Sequence, residues 1–444
     1  MIFDLNLFRK ISLADFATDY ATGGYLYPPL FAWRRAKNYE KLKSLIIKAL
    51  RESRFNFSIY AHFPFCLSRC SFCRFYSLAN KDPADYDAVL KAMIKELERW
   101  AGLIRYSRHI KGKIPLESIY MGGGTPTLFN LEIFFKAVKR NFDITRSKQI
   151  NLESSLQALN ERKLRLYKNF GVNRLLIGVQ SLDPLVLKAV SRFSGQASVL
   201  EKVYVMAKKI GIPAVTFELI AGLPRQTKES FKKDLLKLIK LKPEGIHIYP
   251  LMFSPLSSFG GRWDFRAPFI SKNAWSIFRE GEKILAKNGY IRKGDEWILP
   301  GKEKARNFQL AVSRPNLIAV GPSAQGSIKT DNYNLYFSNI LDACKYRNLV
   351  ATDILPAEKY FILRGRNELA RRELINRMRF SCVENWSEFK KFGKELDFLK
   401  KQKVVETTNH GLKISQNETS LYTKVFYSPA ILKRCENIIK RHSQ

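Results

Sequence analysis

Short β-type runs alternate with longer helical patterns from residue 57 to residue 249, and this alternation constrains the fold more than any other feature of the sequence. A strand, a helix and a second strand at this spacing predict parallel βαβ units. Six strands predict an α/β fold, a partial (β/α)6 barrel that is an open form of the eight-fold design. The six runs are Phe57–Tyr60, Ser118–Met121, Gln149–Glu153, Arg174–Gly178, Ala214–Glu218 and Gly245–Tyr249.

The segments on either side of this core have different sequence patterns. Residues 1–56 hold a Tyr-Pro-Pro sequence and a basic helical run, and we interpret them as an N-terminal extension before a core of residues 57–345. Helices followed by a hairpin predict a small winged-helix-like α+β domain over residues 346–444. The helical patterns are Glu358–Glu368, Arg371–Arg379 and Trp386–Phe398, and the hairpin-like run is Val404–Ser415.

Charge and hydropathy narrow the classes of function. Lys and Arg outnumber Asp and Glu by 76 to 40, which gives a formal net charge of +36. The basic residues are spread along the chain, which suits a general attraction for anionic ligands and argues against a nucleic-acid interface. We see no apolar run long enough to cross a bilayer and no residue order typical of a signal peptide. We therefore expect a cytoplasmic protein without a membrane span. We also expect it to be a monomer.

Three of the six cysteines lie within eight residues, directly after the first predicted barrel strand. Six cysteines are too few for a disulfide scaffold in a chain of this length, so the cluster of Cys66, Cys70 and Cys73 predicts metal or redox chemistry. Three thiolates can bind three irons of a [4Fe–4S] cubane and leave the fourth iron open to another ligand. A zinc site with His62 as the fourth ligand is the alternative.

Further motifs follow the cysteines in a fixed order. Tyr60-Ala-His-Phe-Pro-Phe leads into Cys66, and the later motifs are Gly122–Thr127, Glu153, Gly178–Ser181, Ser191-Arg192 and Gly222–Thr227. Together they resemble the radical S-adenosylmethionine (SAM) superfamily, specifically the oxygen-independent coproporphyrinogen III oxidase-like family with its heme-chaperone and class C methyltransferase relatives. The resemblance implies an oxidoreductase whose [4Fe–4S] cluster cleaves SAM reductively to a 5′-deoxyadenosyl radical.

The resemblance also implies a SAM site and a catalytic pair. Tyr60 and His62 flank the cluster strand and are implied to approach the sulfonium and the substrate as catalytic residues. Phe72 would pack near adenine, and Glu218 stands where the family usually has Asp. The implied cofactor-binding residues are Tyr60, Phe72, Gly123, Gly124, Thr125, Glu153, Gln180, Arg192 and Glu218, and the implied cluster ligands are Cys66, Cys70 and Cys73.

Two departures leave the subfamily open. The porphyrinogen oxidase has a fourth cysteine two residues past the third, where this chain has Phe75. Conversely, more than fifty residues precede the cluster strand, unlike in the heme-chaperone branch.

Three hypotheses follow. The first is an enzyme that acts on a tetrapyrrole or another large unsaturated substrate, with one or two SAM molecules and flavodoxin or ferredoxin as electron donor. The second is a heme carrier with His62 or His247 as axial ligand, and the third, least favoured, is a nucleic-acid-associated enzyme. The scattered Cys344, Cys382 and Cys435 are expected to be inert buried thiols.

Overall fold

The computed structural model describes most of the chain. The described residues are 27–80, 82–252, 257–258, 270–293, 296–302, 316–378, 382–384, 386–402, 405–408, 411–414, 423–429 and 431–433. Residues 1–26 of the predicted extension and Cys435 lie outside these ranges. No helix within the described ranges is long and apolar enough to cross a membrane.

The strands and helices follow the predicted alternation. The strands are β1 (Arg34–Arg35), β2 (Phe57–Phe63), β3 (Phe65–Cys66), β4 (Leu78–Ala79), β5 (Ile114–Gly123), β6 (Phe142–Asp143), β7 (Gln149–Ser154), β8 (Arg174–Gln180), β9 (Ala214–Ala221), β10 (Gly245–Pro250), β11 (Ile291–Lys293), β12 (Glu296–Ile298), β13 (Asn316–Val320), β14 (Gln325–Lys329), β15 (Tyr333–Asn339), β16 (Ala357–Arg364), β17 (Cys382–Glu384), β18 (Val405–Thr408) and β19 (Gly411–Ile414). The α-helices are α1 (Tyr39–Glu52), α2 (Pro83–Arg108), α3 (Leu131–Asn141), α4 (Glu161–Asn169), α5 (Pro184–Ala189), α6 (Gln196–Ile210), α7 (Lys228–Lys240), α8 (Lys272–Lys287), α9 (Ala343–Ala351), α10 (Arg366–Met378) and α11 (Gly393–Lys401).

One large sheet organises the described residues. Its strand order is β1-β16-β15-β14-β13-β2-β5-β7-β8-β9-β10-β12-β11, and β6 pairs with β5. The seven consecutive strands from β13 through β2 to β10 are parallel to one another. Six of these strands contain the six predicted runs, so the predicted α/β core is confirmed. The sequence interpretation missed the seventh parallel strand, β13, and the antiparallel strands β14 to β16 that continue the sheet beyond β2.

Helix α2 shows how local sequence signals place the helices against this sheet. Asp82 accepts a hydrogen bond from the amide of Ala84, and Pro83 occupies the first turn, where its missing amide hydrogen has no helical partner to lose. The helix ends at His109, which has a left-handed backbone conformation. Leu90 and Leu97 on its inner face are fully buried, and each contributes about 1.5–3 kcal/mol through burial.

One predicted helix, Glu358–Glu368, is wrong over its first seven residues. Residues 358–364 lie in strand β16, which pairs with β15 on one side and β1 on the other. The run Tyr360–Ile362 favours a strand, and the hydrogen bonds offered by both neighbouring strands outweigh local helix propensity. Helix α10 starts only after Gly365, at φ 94°, a left-handed conformation that glycine adopts without steric cost.

The described part of the N-terminal extension packs against the C-terminal region. Tyr27 and Trp33 share a hydrophobic cluster with Leu374 of α10 and with Phe426 and Tyr427. The sheet itself also crosses the predicted boundary at residue 346 through β16. The domain boundaries stay predictions.

The C-terminal elements suit the predicted domain type without establishing it. Strands β17, β19 and β18 form a three-stranded antiparallel sheet after α10, and α11 lies between β17 and β18 in the chain. The winged-helix assignment stays a prediction. The expectation that Cys344 is buried is wrong, because its position in the first turn of α9 leaves it exposed.

Candidate active site

A cavity of about 510 Å³ is lined by residues of the strands from β2 to β10 and of the loops that follow them. This volume is in the range of small-molecule sites. The segment Cys66–Cys73, here called the cysteine loop, forms one part of its lining, and side chains of β14, β15 and α10 form another. Of the residues that the sequence predicted, His62 alone is missing from this lining. The others are Tyr60, Cys66, Cys70, Phe72, Cys73, Gly123, Gly124, Thr125, Glu153, Gln180, Arg192 and Glu218.

Each thiol of the cysteine loop has a polar neighbour. Thr125 Oγ1 donates to Cys66 Sγ over 3.4 Å, and Arg192 Nη1 donates to Cys70 Sγ over 3.3 Å. Cys73 Sγ lies 3.7 Å from the hydroxyl of Ser77. A backbone hydrogen bond also ties the loop to the residue that follows α5, because the amide of Ser71 donates to the carbonyl of Val190 over 3.1 Å. Residues that follow β5 and α5 and one that precedes β4 therefore hold the three thiols beside one cavity.

The donor set fits a [4Fe–4S] cluster better than a single metal ion. Burial raises the pKa of Cys66 to about 12 and also raises the pKa of Cys73, so both thiols need a strong positive charge nearby to ionise. Among the described residues, no group of three or more His, Cys, Asp or Glu is arranged around one metal position. In a cubane each thiolate binds a different iron, so three separate thiols match its requirement.

His62 is held away from the cavity. Its Nε2 lies 2.8 Å from the carbonyl oxygen of Tyr76, which can only accept, so Nε2 carries the hydrogen. Nδ1 therefore accepts from the hydroxyl of Tyr60 over 2.9 Å. Burial lowers the pKa of His62 to about 4, although the bond to Tyr76 opposes this, and the ring is neutral. With both nitrogens engaged, His62 orients Tyr60 and is a poor zinc or heme ligand.

The glycine run Gly122–Gly124, at the end of β5, packs closely against other parts of the protein. Gly123 has φ 106°, and a Cβ there would lie 2.8 Å from the ring of His62. A Cβ on Gly124 would lie 2.5 Å from the carbonyl oxygen of Phe65. The amides of Gly124 and Thr125 donate to the carbonyls of Phe63 and Phe65 over 2.7 and 2.8 Å. The run therefore fixes the strand that leads into the cysteine loop.

A buried carboxyl group stands next to this run. Glu153, near the end of β7, accepts hydrogen bonds from the hydroxyl of Tyr120 and, over 3.2 Å, from the amide of Gly123. Burial, together with the nearby carboxylate of Glu218, raises the pKa of Glu153 to about 8, and the two hydrogen bonds oppose the rise. A cationic ligand beside these two carboxyl groups would favour their ionised form.

Gln180 and Arg192 meet above strand β8. Gln180 has a left-handed backbone at φ 69°, next to an irregularity in the β8–β9 pairing, and its Oε1 is buried without a hydrogen-bond partner. Arg192 donates to the carbonyl oxygen of Gly178 as well as to Cys70. Its Nε is likewise buried without a partner. A strained backbone and unsatisfied polar atoms at one place are typical of a ligand site.

Aromatic side chains cover part of the cysteine loop. Phe72 packs against the hydrophobic cluster formed by Val186, Leu223 and Leu251, and it lines the cavity. Phe75, at the position where the oxidase motif has its fourth cysteine, is 40% exposed and also lines the cavity.

The sequence interpretation missed a buried ion cluster of Arg174, His247 and Glu296. Arg174 donates to Glu296, and His247 Nε2 lies 3.6 Å from the same carboxylate. Burial alone would raise the pKa of Glu296, but Arg174, His247 and Thr216 lower it to about 2. The signal was present at Arg174, a charged residue that opens the otherwise apolar strand run Arg174–Gly178, because a charge in a buried parallel strand requires a partner.

Comparisons with known proteins agree with this geometry. Residues 60–238 match the family model described as Radical SAM superfamily. The chain is 30% identical over 238 residues to the heme chaperone HemW of Haemophilus influenzae, and the match covers 52% of this chain and 60% of that protein. It is 26% identical over 404 residues to the oxygen-independent coproporphyrinogen III oxidase of Helicobacter pylori strain J99, with 84% and 85% covered.

A solved structure shows the same fold. Coproporphyrinogen III oxidase HemN of Escherichia coli superimposes with a TM-score of 0.77 at 21% sequence identity, over 90% of this chain and 95% of that one. The match spans about three fifths of the length of the first heme chaperones that the chain resembles. The cysteine loop, the glycine run, Glu153 and Arg192 all lie within residues 60–238, the part of the chain that matches the radical SAM family model.

Proposed function

We propose that this protein is a radical SAM enzyme of the coproporphyrinogen III oxidase-like type that acts on a tetrapyrrole or a similarly large unsaturated substrate. One observation carries the proposal: three separate thiols and nine predicted SAM-binding residues line a single cavity. When bound by Cys66, Cys70 and Cys73, a [4Fe–4S] cluster supplies the electron that cleaves SAM reductively.

The side chains around the cysteine loop have distinct roles in this proposal. Thr125 and Arg192 donate to the sulfurs of Cys66 and Cys70 and would lower the negative charge on a bound cluster. Glu153 offers a carboxylate to the ammonium group of SAM, and Gln180 offers an acceptor oxygen without another partner. Tyr60 donates its hydrogen to His62, so toward a ligand its hydroxyl acts as an acceptor.

A heme carrier is the second candidate, because relatives named heme chaperone match at 30% identity. The predicted axial ligands do not favour it. Both nitrogens of His62 are engaged, and His247 Nδ1 is hydrogen-bonded to the hydroxyl of Tyr249 while Nε2 lies 3.5 Å from Arg174. The oxidase match also covers a larger share of this chain, 84% against 52%. A flavodoxin or ferredoxin as electron donor, a monomeric state and a cytoplasmic location complete the proposal.

The test is SAM turnover by the anaerobically reconstituted protein. The reduced protein is incubated with SAM alone, with coproporphyrinogen III or with heme, and the products are analysed by mass spectrometry. We expect 5′-deoxyadenosine together with a modified tetrapyrrole. Deoxyadenosine with an unaltered tetrapyrrole would move the search to other substrates. Stable heme binding without any deoxyadenosine would favour the carrier instead.

A further inference from the structure

Arg372 of α10 is a buried cation in the wall of the cavity. It is 9% exposed and belongs to the cavity lining. Its guanidinium carbon lies 5.7 Å from the ring centroid of Tyr336, and the guanidinium hydrogen-bonds to the hydroxyl of that residue. These contacts hold the side chain on strand β15, but they use only part of its five N–H donors.

The charge of Arg372 has no carboxylate partner among the described residues. Its neighbours on the same helix differ in this respect: Arg371 lies 3.4 Å from Glu368 and 3.5 Å from Glu395, and Arg377 lies 2.9 Å from Glu373. A buried guanidinium without a counter-charge is costly, and buried charges in proteins are normally paired. Arg372 is therefore ready to receive an anion from the cavity.

The side chains next to Arg372 suit an anion as well. Asn376 lies one helical turn further along α10, Gln325 of β14 also lines the cavity, and each side chain carries an amide NH2 that can donate to an anion. We call Gln325, Tyr336, Arg372 and Asn376 the α10 wall. The described acidic residues of the cavity lining, Glu153 and Glu218, lie on β7 and β9, on the other side of β2 in the strand order.

We propose that the α10 wall is an anion subsite in which Arg372 binds a carboxylate group of the substrate. A guanidinium binds a carboxylate through two parallel N–H donors, which fixes the direction of the ligand as well as its charge. The amide groups of Asn376 and Gln325 complete the hydrogen bonding. This inference rests on the proposed function and narrows it: the substrate carries acidic side chains, and Arg372 orients it relative to the cysteine loop.

The test uses coproporphyrin III, a stable and fluorescent tetracarboxylic porphyrin, and its tetramethyl ester. Each is titrated anaerobically into the full-length, cluster-loaded protein, and binding is followed by fluorescence. Arg372→Gln should weaken the affinity for coproporphyrin III by about 10- to 100-fold, since a hydrogen-bonded charge is lost. The ester should bind weakly to the wild type and to the variant alike. Arg377→Gln is the matched control on the same helix and should leave binding unchanged.

Two further measurements separate this role from a structural one. Iron content and SAM affinity should be the same in Arg372→Gln and the wild type, because the substituted side chain lies outside the SAM site. Arg372→Lys keeps the positive charge but lacks the two parallel N–H donors of the guanidinium, so it should have an intermediate affinity for coproporphyrin III. Equal affinity of the wild type and Arg372→Gln would overturn the subsite and leave the proposed function standing. Absence of any coproporphyrin III binding to the wild type would overturn the subsite and the tetrapyrrole substrate together.

Discussion

The cysteine loop and the α10 wall line the same cavity but are built in different ways. The cysteine loop lies within the region that matches the radical SAM family, and its thiols are fixed by Thr125, Ser77 and Arg192. The α10 wall combines side chains from β14, β15 and α10, all beyond residue 238. The first region therefore matches a known family, whereas the proposed substrate subsite lies in a region that the family match does not reach.

The two regions also differ in charge. Glu153 and Glu218 place carboxyl groups near the predicted SAM site, while the α10 wall presents the guanidinium of Arg372. SAM carries a sulfonium and an ammonium group, and a porphyrin with propionate side chains is an anion. We expect each region to select a ligand of opposite charge, and substitutions should be able to affect one ligand without the other.

The largest expected effect comes from a substitution that removes the function of the cysteine loop and leaves the α10 wall unchanged. Cys70→Ala removes one of the three proposed cluster ligands, so we expect loss of the iron and sulfide of the reconstituted protein and complete loss of SAM cleavage. Coproporphyrin III binding should persist, because the α10 wall is unchanged. Iron and sulfide analysis, deoxyadenosine detection and porphyrin fluorescence measure the three properties, and Cys344→Ala, at an exposed thiol, is the control. Full iron content in Cys70→Ala would remove that residue from the ligand set.

The second prediction concerns the large sheet to which the strands near both regions belong. Arg174→Met leaves the buried carboxylate of Glu296 without its main partner, which should destabilise the fold by about 3–5 kcal/mol. The double variant Arg174→Met/Glu296→Leu replaces the ion pair with an apolar pair and should recover most of the lost stability. Denaturant unfolding measures the effect, and Arg165→Met, at an exposed pair with Glu161, should change stability little. If Arg174→Met were as stable as the wild type, the ion cluster would not stabilise the barrel.

The smallest expected effect is a pH dependence confined to the SAM site. Because the pKa of Glu153 is raised to about 8, its carboxyl group holds a proton at neutral pH in the ligand-free protein. The ammonium group of SAM favours the carboxylate, so SAM affinity should rise with pH, by up to about tenfold per unit, until the pH exceeds that pKa.

Calorimetric titrations of SAM over this pH range check the dependence. Glu153→Gln should abolish the rise, and Glu218→Gln should move it to lower pH because Glu218 contributes to the raised pKa. The groups that face Glu153 are Tyr120, the Gly123 amide, Glu218 and Tyr60. An unchanged profile in Glu153→Gln would assign the dependence to another group.

Sequence reasoning predicted the part of the molecule in which the candidate site residues follow one another along the chain. The six strands, the cysteine loop and most of the predicted SAM residues form consecutive strand–loop units, so their spacing in the chain carries their placement in space. Arg372 has no such signal, because its burial depends on Tyr336 and on the packing of α10. Strand β16 was missed for a related reason: one of its partners, β1, lies more than three hundred residues away in the chain, and the other, β15, was itself not predicted.

The pairing of β1 with β16 has a consequence for the order of synthesis. Arg34 leaves the ribosome early, but its partner Tyr360 is translated more than three hundred residues later. The cysteine loop and strands β2 to β10 are complete by residue 250, before the segment that contains Arg372 exists. We expect the nascent barrel to stay open on that side during translation, so that iron and sulfide can reach the thiols before the cavity is enclosed.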